Sequence, residues 1–94
     1  MVVRVGLIGT SWWADAMYAP PLTAHDQAVI AAVAGRNPAT TAAFADRWNI
    51  AERCDDPIAM LDDVELDAVV VASANDSHYE LATAAIDRGL HVLC

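Results

Sequence analysis

Apolar residues in this 94-residue chain gather into short runs, separated by polar segments with helical spacing. Val2–Ile8 is rich in Val and Ile, lacks regular polar alternation and is closed by Gly9, which predicts a strand buried on both faces. Ala28–Ala34 is a second such run, ended by Gly35. Asp67–Ala72, with its core AVVVA, is the strongest of all. Leu90–Cys94 begins a further strand, and Glu52–Cys54 is at most a short edge strand.

The segments between these runs carry helix signals. Thr10–Met17 predicts a helix capped by Thr10 or Ser11, with Asp15 in its first turn. Pro20 and Pro21 are expected to interrupt it, with a short turn through Leu22–His25 following. Asn37-Pro38 is a helix start with a mechanism. The asparagine accepts from free backbone amides, and the proline has no amide to leave unsatisfied. That helix runs to about Asn49, with Phe44 and Trp48 one turn apart on one face. Asp56-Pro57 repeats the signal and starts a short helix through about Leu61. Asn75–Ser77 caps the last helix, where Ser77 and Glu80 have capping-box spacing. Ala82, Ala85 and Ile86 are expected to pack, and Gly89 to end the helix.

Alternating strands and helices, with strands buried on both faces, predict an α/β fold. The expected form is a Rossmann-like, doubly wound parallel sheet of strand order 3-2-1-4-5. Ligands in such sheets bind beyond the carboxyl ends of the strands, at the switch between strands one and four.

Composition narrows the choice of ligand. The chain is 56% apolar and 19% charged, unlike a disordered or low-complexity segment. Thirteen acids face five bases for a formal charge of −8, and the arginines are scattered, so nucleic acid and anionic membrane are not expected partners. Every base is an arginine. With no lysine, the chain cannot supply chemistry that needs one. Cys54 and Cys94 form neither a disulfide framework nor a metal-ligand spacing. The opening apolar run is too short for a signal peptide or a membrane span, so a reduced, cytoplasmic protein is expected.

The turn after the first run reads Gly9-Thr10-Ser11-Trp12-Trp13-Ala14. Laid on G-x-G-x-x-G/A, it keeps the first glycine and the permitted alanine, with Ser11 in place of the middle glycine. A serine hydroxyl there can donate to a phosphate oxygen. The bland alternative is that Gly9 only turns the chain and the two tryptophans only pack. At the end of the second strand an acid would hold the ribose hydroxyls of NAD, whereas an arginine favours the 2′-phosphate of NADP. Here the chain reads Ala34-Gly35-Arg36-Asn37, which favours NADP over NAD. Strand four ends in Ser73-Ala74-Asn75-Asp76-Ser77-His78, small and polar residues where a nicotinamide and its ribose would sit. Asn75 and Ser77 also have a full explanation as caps, and His78 as a structural group. The acids Asp55, Asp56, Asp62, Asp63, Glu65 and Asp67 read as solvated caps and turns, since EF-hand spacing is absent.

VRVGLIGTSWW, VAGRNPATTAAFADRW and LDAVVVASANDSHYELATAAIDRGLHVLC together resemble the glucose–fructose oxidoreductase / inositol dehydrogenase / MocA (Gfo/Idh/MocA) family. The resemblance covers nearly the whole chain, and the last stretch is its most telling part. It implies an N-terminal NAD(P)-binding Rossmann domain, here residues 1–94 and incomplete, followed in the family by a C-terminal substrate domain. It also implies hydride transfer between a nicotinamide cofactor and a hydroxyl carbon of a sugar, polyol or cyclitol. By position, Gly9, Thr10, Ser11, Trp12 and Trp13 would line the pyrophosphate. Arg36 and Asn37 would lie at the adenosine ribose, and Ser73, Asn75 and His78 at the nicotinamide and its ribose. The chain departs from the family at Ser11 and at Ala74, where a proline is usual. The family's Glu-Lys-Pro motif, with its catalytic lysine, would begin just after Cys94. No catalytic residue is therefore expected within the chain, which alone should be inactive and meet its small-molecule substrate only through the missing domain. The alternative is a non-catalytic dinucleotide-binding or regulatory module. A methyltransferase of similar topology fits less well, because the second strand does not end in an acid.

Overall fold

In a computed structural model of the chain, residues 2–12, 14–72 and 78–93 are described. Five strands form one sheet: β1 (Val3–Ile8), β2 (Ala28–Ala34), β3 (Glu52–Cys54), β4 (Ala68–Val71) and β5 (His91–Leu93). Their order is β3-β2-β1-β4-β5 and every pairing is parallel, as the apolar runs predict. Between them lie α1 (Ala19–Ala24, preceded by a π-helical turn over Ala14–Tyr18), α2 (Pro38–Trp48), α3 (Pro57–Asp63) and α4 (His78–Asp87).

A parallel sheet needs cover on both faces, and the burial divides accordingly. On one face Val5, Leu7, Ile30 and Val33 meet Ala14 of the π turn, Ala19 of α1, and Phe44 and Ala45 of α2. On the other, Ile8, Ala32, Ala34, Val69 and Val71 meet Met60, Leu61, Leu81 and Ala85 from α3 and α4. The β1–β2 register slips by one residue between Val5 and Gly6, so Ala31 is the extra residue of β2. That extra residue resets the period-two alternation. Ile30 and Val33, of opposite parity, therefore reach the same face.

The helix ends follow the sequence signals. The Asn37 side chain accepts from the amides of Ala39 and Thr40 at 2.9 and 3.2 Å, and Asp56 accepts from Ile58 at 3.3 Å. Asn49 closes α2 in the left-handed region at φ 57°. Gly89, at φ 77°, closes α4 with the Leu90 amide reaching the Ala85 carbonyl and its own amide reaching Ile86. The proposed capping box at Ser77 lies outside the described residues.

Two expectations are corrected. Pro20 and Pro21 do not interrupt the first helix but sit at the opening positions of α1, directly after the π turn. The fixed φ of proline suits a first helical turn, and the change from π to α pairing falls where the two amides are missing. Ile86 does not pack: it is 63% exposed, and the buried pair on α4 is Leu81 and Ala85, one turn apart. The helix is rotated so that its i, i+4 row, rather than its bulkier aliphatic, meets the sheet.

Candidate functional site

The carboxyl ends of β1, β2 and β4 converge on one edge of the molecule, and the described candidate residues lie there. Gly9 takes φ 108°, a conformation that L side chains rarely adopt, and this bends the chain away from β1. Its amide donates to the Ala34 carbonyl at 2.8 Å, fastening the turn to the end of β2. Ser11 begins the helical region: its hydroxyl accepts from the Ala14 amide at 3.4 Å and its carbonyl from the Asp15 amide at 3.1 Å. Trp12 is largely exposed, at 75%.

At the end of β2, Gly35 is wedged between two threonines. A Cβ there would lie 2.5 Å from Thr41 Oγ1 and 3.2 Å from both γ atoms of Thr10. Thr41 is the buried polar residue of this core among the described residues. Its hydroxyl and its amide both donate to the Asn37 carbonyl at 2.9 Å. Arg36 projects into solvent and, among the described residues, makes no hydrogen bond or ion pair. The carbonyl of the Asn37 side chain is committed to capping α2, which leaves its amide group as the donor available to a ligand.

An open cleft of about 280 Å³ runs from the phosphate turn along α2, between Thr10, Ser11 and Trp12 on one side and Thr40, Phe44 and Arg47 on the other. Asp15 lies in it and ties the two helices together. Its carboxylate accepts from the Trp48 indole at 2.8 Å and pairs with Arg47 at 3.3 Å, while the Arg47 guanidinium sits over the Trp48 ring at 5.6 Å. The sequence reading missed this tie and the role of Thr41. Asp15 and Trp48 are 33 residues apart, and no local spacing announces their contact.

Of the other candidates, His78 is the half-buried first residue of α4, the helix that follows β4 in the chain. Trp13, Ser73 and Asn75 lie outside the described residues. The acidic stretch behaves as caps and turns. Asp56 caps α3, Asp67 accepts from the Arg4 amide at 2.8 Å, and Asp62 pairs with Arg88 at 2.7 Å. The Arg88 hydrogen bond holds the Asp62 carboxyl below its ordinary range. Cys54 is shifted the other way: burial raises its thiol, and the carboxylates of Glu52, Asp63 and Asp55 add to the effect. No group of three or more metal-ligating side chains occurs among the described residues.

Comparison with known proteins agrees with this geometry. Residues 3–94 match the family model described as the oxidoreductase family with an NAD-binding Rossmann fold. The chain is 35% identical to D-glucoside 3-dehydrogenase of Escherichia coli over 98% of its own length and 26% of that protein's. It is 36% identical to inositol 2-dehydrogenase 2 of Saccharopolyspora erythraea, over its full length and 28% of that protein. Among solved structures it is similar to KijD10, a 3-ketoreductase from Actinomadura kijaniata in complex with NADP and TDP-benzene. There the TM-score is 0.91 at 30% identity, covering 99% of this chain and 28% of that one. The chain thus spans about a quarter of the length of the relatives it matches.

Proposed function

The chain belongs to this Gfo/Idh/MocA oxidoreductase family, and from that membership we propose that it is the cofactor-holding part of a dehydrogenase or reductase. The reaction proposed moves hydride between a nicotinamide dinucleotide and a hydroxyl carbon of a sugar, polyol or cyclitol. One observation carries the reading. The φ 108° turn at Gly9 is bonded to the end of β2, where Gly35 carries no side chain and packs against Thr10 and Thr41. That is the cradle a dinucleotide backbone needs, because pyrophosphate and ribose must come close to main-chain atoms.

In this reading Gly9, Thr10, Ser11, Trp12 and Trp13 line the pyrophosphate. Arg36 and Asn37 face the adenosine ribose, and Ser73, Asn75 and His78 border the nicotinamide ribose. The nicotinamide ring supplies the hydride acceptor or donor when bound. The residues of this chain bind and orient it, and none is assigned the proton transfer at the substrate hydroxyl. The dehydrogenase names of the relatives, one acting on a glucoside and one on inositol, support the substrate class.

NADP is the proposed preference, because Arg36 is unpaired among the described residues and no acid ends β2. No helix among the described residues is long and apolar enough to cross a membrane, and the net charge of −8 disfavours nucleic acid. A cytoplasmic setting is proposed with the rest. Titration of NADP and NAD into the protein and into Arg36→Ala tests the reading. NADP should bind about tenfold more tightly, the worth of one charge-assisted contact, and the variant should lose that advantage. Equal affinities before mutation would sink the Arg36 assignment, and binding of neither would sink the function.

A further inference from the structure

We propose that Thr41 and Thr10 determine cofactor specificity by packing, keeping the end of β2 without a side chain and so denying the chain a ribose-binding carboxylate. The inference rests on the reading that this corner receives the adenosine ribose. An aspartate at position 35 is the substitution that would select NAD, since its carboxylate would accept from the ribose hydroxyls and repel a 2′-phosphate. In this fold it has no room. Its Cβ would stand 2.5 Å from Thr41 Oγ1, well inside van der Waals contact.

Thr41 cannot turn aside. It is 1% exposed, and its hydroxyl is held by the Asn37 carbonyl at 2.9 Å. Rotation about its first side-chain torsion would break that bond and swing the methyl group within the same crowded space. Thr10 closes the opposite side, with both γ atoms 3.2 Å from the same point. Because Thr10 belongs to the turn anchored by Gly9, a side chain at 35 would push on the phosphate turn itself. Gly35 is therefore fixed by its two neighbours, and recognition at the ribose 2′ position falls to Arg36.

A corner packed in this way separates two effects that a simple surface position would not. Adding only a Cβ disturbs the pyrophosphate turn, which NAD and NADP share. Gly35→Ala should therefore weaken both by the same factor, about tenfold, and leave their ratio unchanged. Gly35→Asp should weaken both without any gain for NAD. Gly35→Asp combined with Thr41→Ala should recover NAD binding and reverse the preference toward NAD. Dissociation constants for NAD and NADP, measured on the full chain and compared with Thr41→Ala alone, read these outcomes.

Tighter NAD binding by Gly35→Asp with both threonines intact would overturn the proposal. So would a double variant that melts with Thr41→Ala yet recovers nothing. A melting-temperature cycle covers the case in which the parent binds neither dinucleotide and the proposed function itself fails. Gly35→Ala should then lower the melting temperature more beside Thr41 than beside Ala at position 41, and equal drops would overturn the lock.

Discussion

The corners after β1 and β2 both carry a glycine, and a 2.8 Å hydrogen bond from Gly9 to Ala34 joins them, yet each is glycine for a different reason. Gly9 is required by its own backbone, at φ 108°. Gly35 is required by its surroundings, since any Cβ meets Thr41 and Thr10. The first constraint is local and cannot be relieved from elsewhere. The second belongs to two side chains from two other segments, and one of them can be cut back. Two glycines that look alike in the chain thus differ in whether a partner mutation can replace them.

The largest test of that contrast is Gly9→Ala. Forcing an L side chain into that region should cost about 2 kcal/mol of stability, read as a lower urea midpoint with an unchanged slope. No substitution at Thr10 or Thr41 should restore it, and recovery from either would erase the distinction between the corners. Asn37 probes the second corner next. Asn37→Ala removes the acceptor for two amides of α2 and should cost about 1 kcal/mol. Asn37→Asp keeps the cap, so its melting temperature should stay near the parent's, while its added negative charge should weaken NADP more than NAD. A parallel loss of both cofactors would remove Asn37 from the ribose.

The smallest effect is expected on the opposite face, where Asp62 pairs with Arg88 across α3 and α4. The carboxyl is held below its ordinary range by the Arg88 hydrogen bond, so its contribution is present above the unfolded carboxylate pKa. It is lost as pH falls through the lowered folded value. Asp62→Asn should melt slightly below the parent at neutral pH and level with it in acid, without changing cofactor affinity. A shift in affinity would mean that the two faces are coupled.

Much of this was legible in the chain because the relevant signals are local. The runs Val2–Ile8, Ala28–Ala34 and Asp67–Ala72 each carry their own burial, and Asn37-Pro38 and Asp56-Pro57 each carry their own cap. The sheet order needed one more signal, the glycine-rich turn after the first strand. What stayed hidden depends on contacts between distant residues. The absence of an acid at Gly35 was readable, but its cause was not, since Thr10 and Thr41 reach it only once β1, β2 and α2 are packed. The tie from Asp15 to Trp48 has the same origin. Pro20 and Pro21 misled for another reason: the rule that prolines break helices assumes an uninterrupted α ladder, and the π turn before them changes which amides are needed.

That π turn over Ala14–Tyr18 bears on how the chain tolerates changes in length. A π turn is a helix that has absorbed one extra residue without displacing its flanks. Removing one residue from this stretch should let the amides ahead of Pro20 pair as ordinary α-helix, with the prolines still opening α1 and little change in melting temperature. Insertions and deletions are normally confined to surface loops. Here a place for one lies within a helix, directly behind the turn that the proposed cofactor would grip.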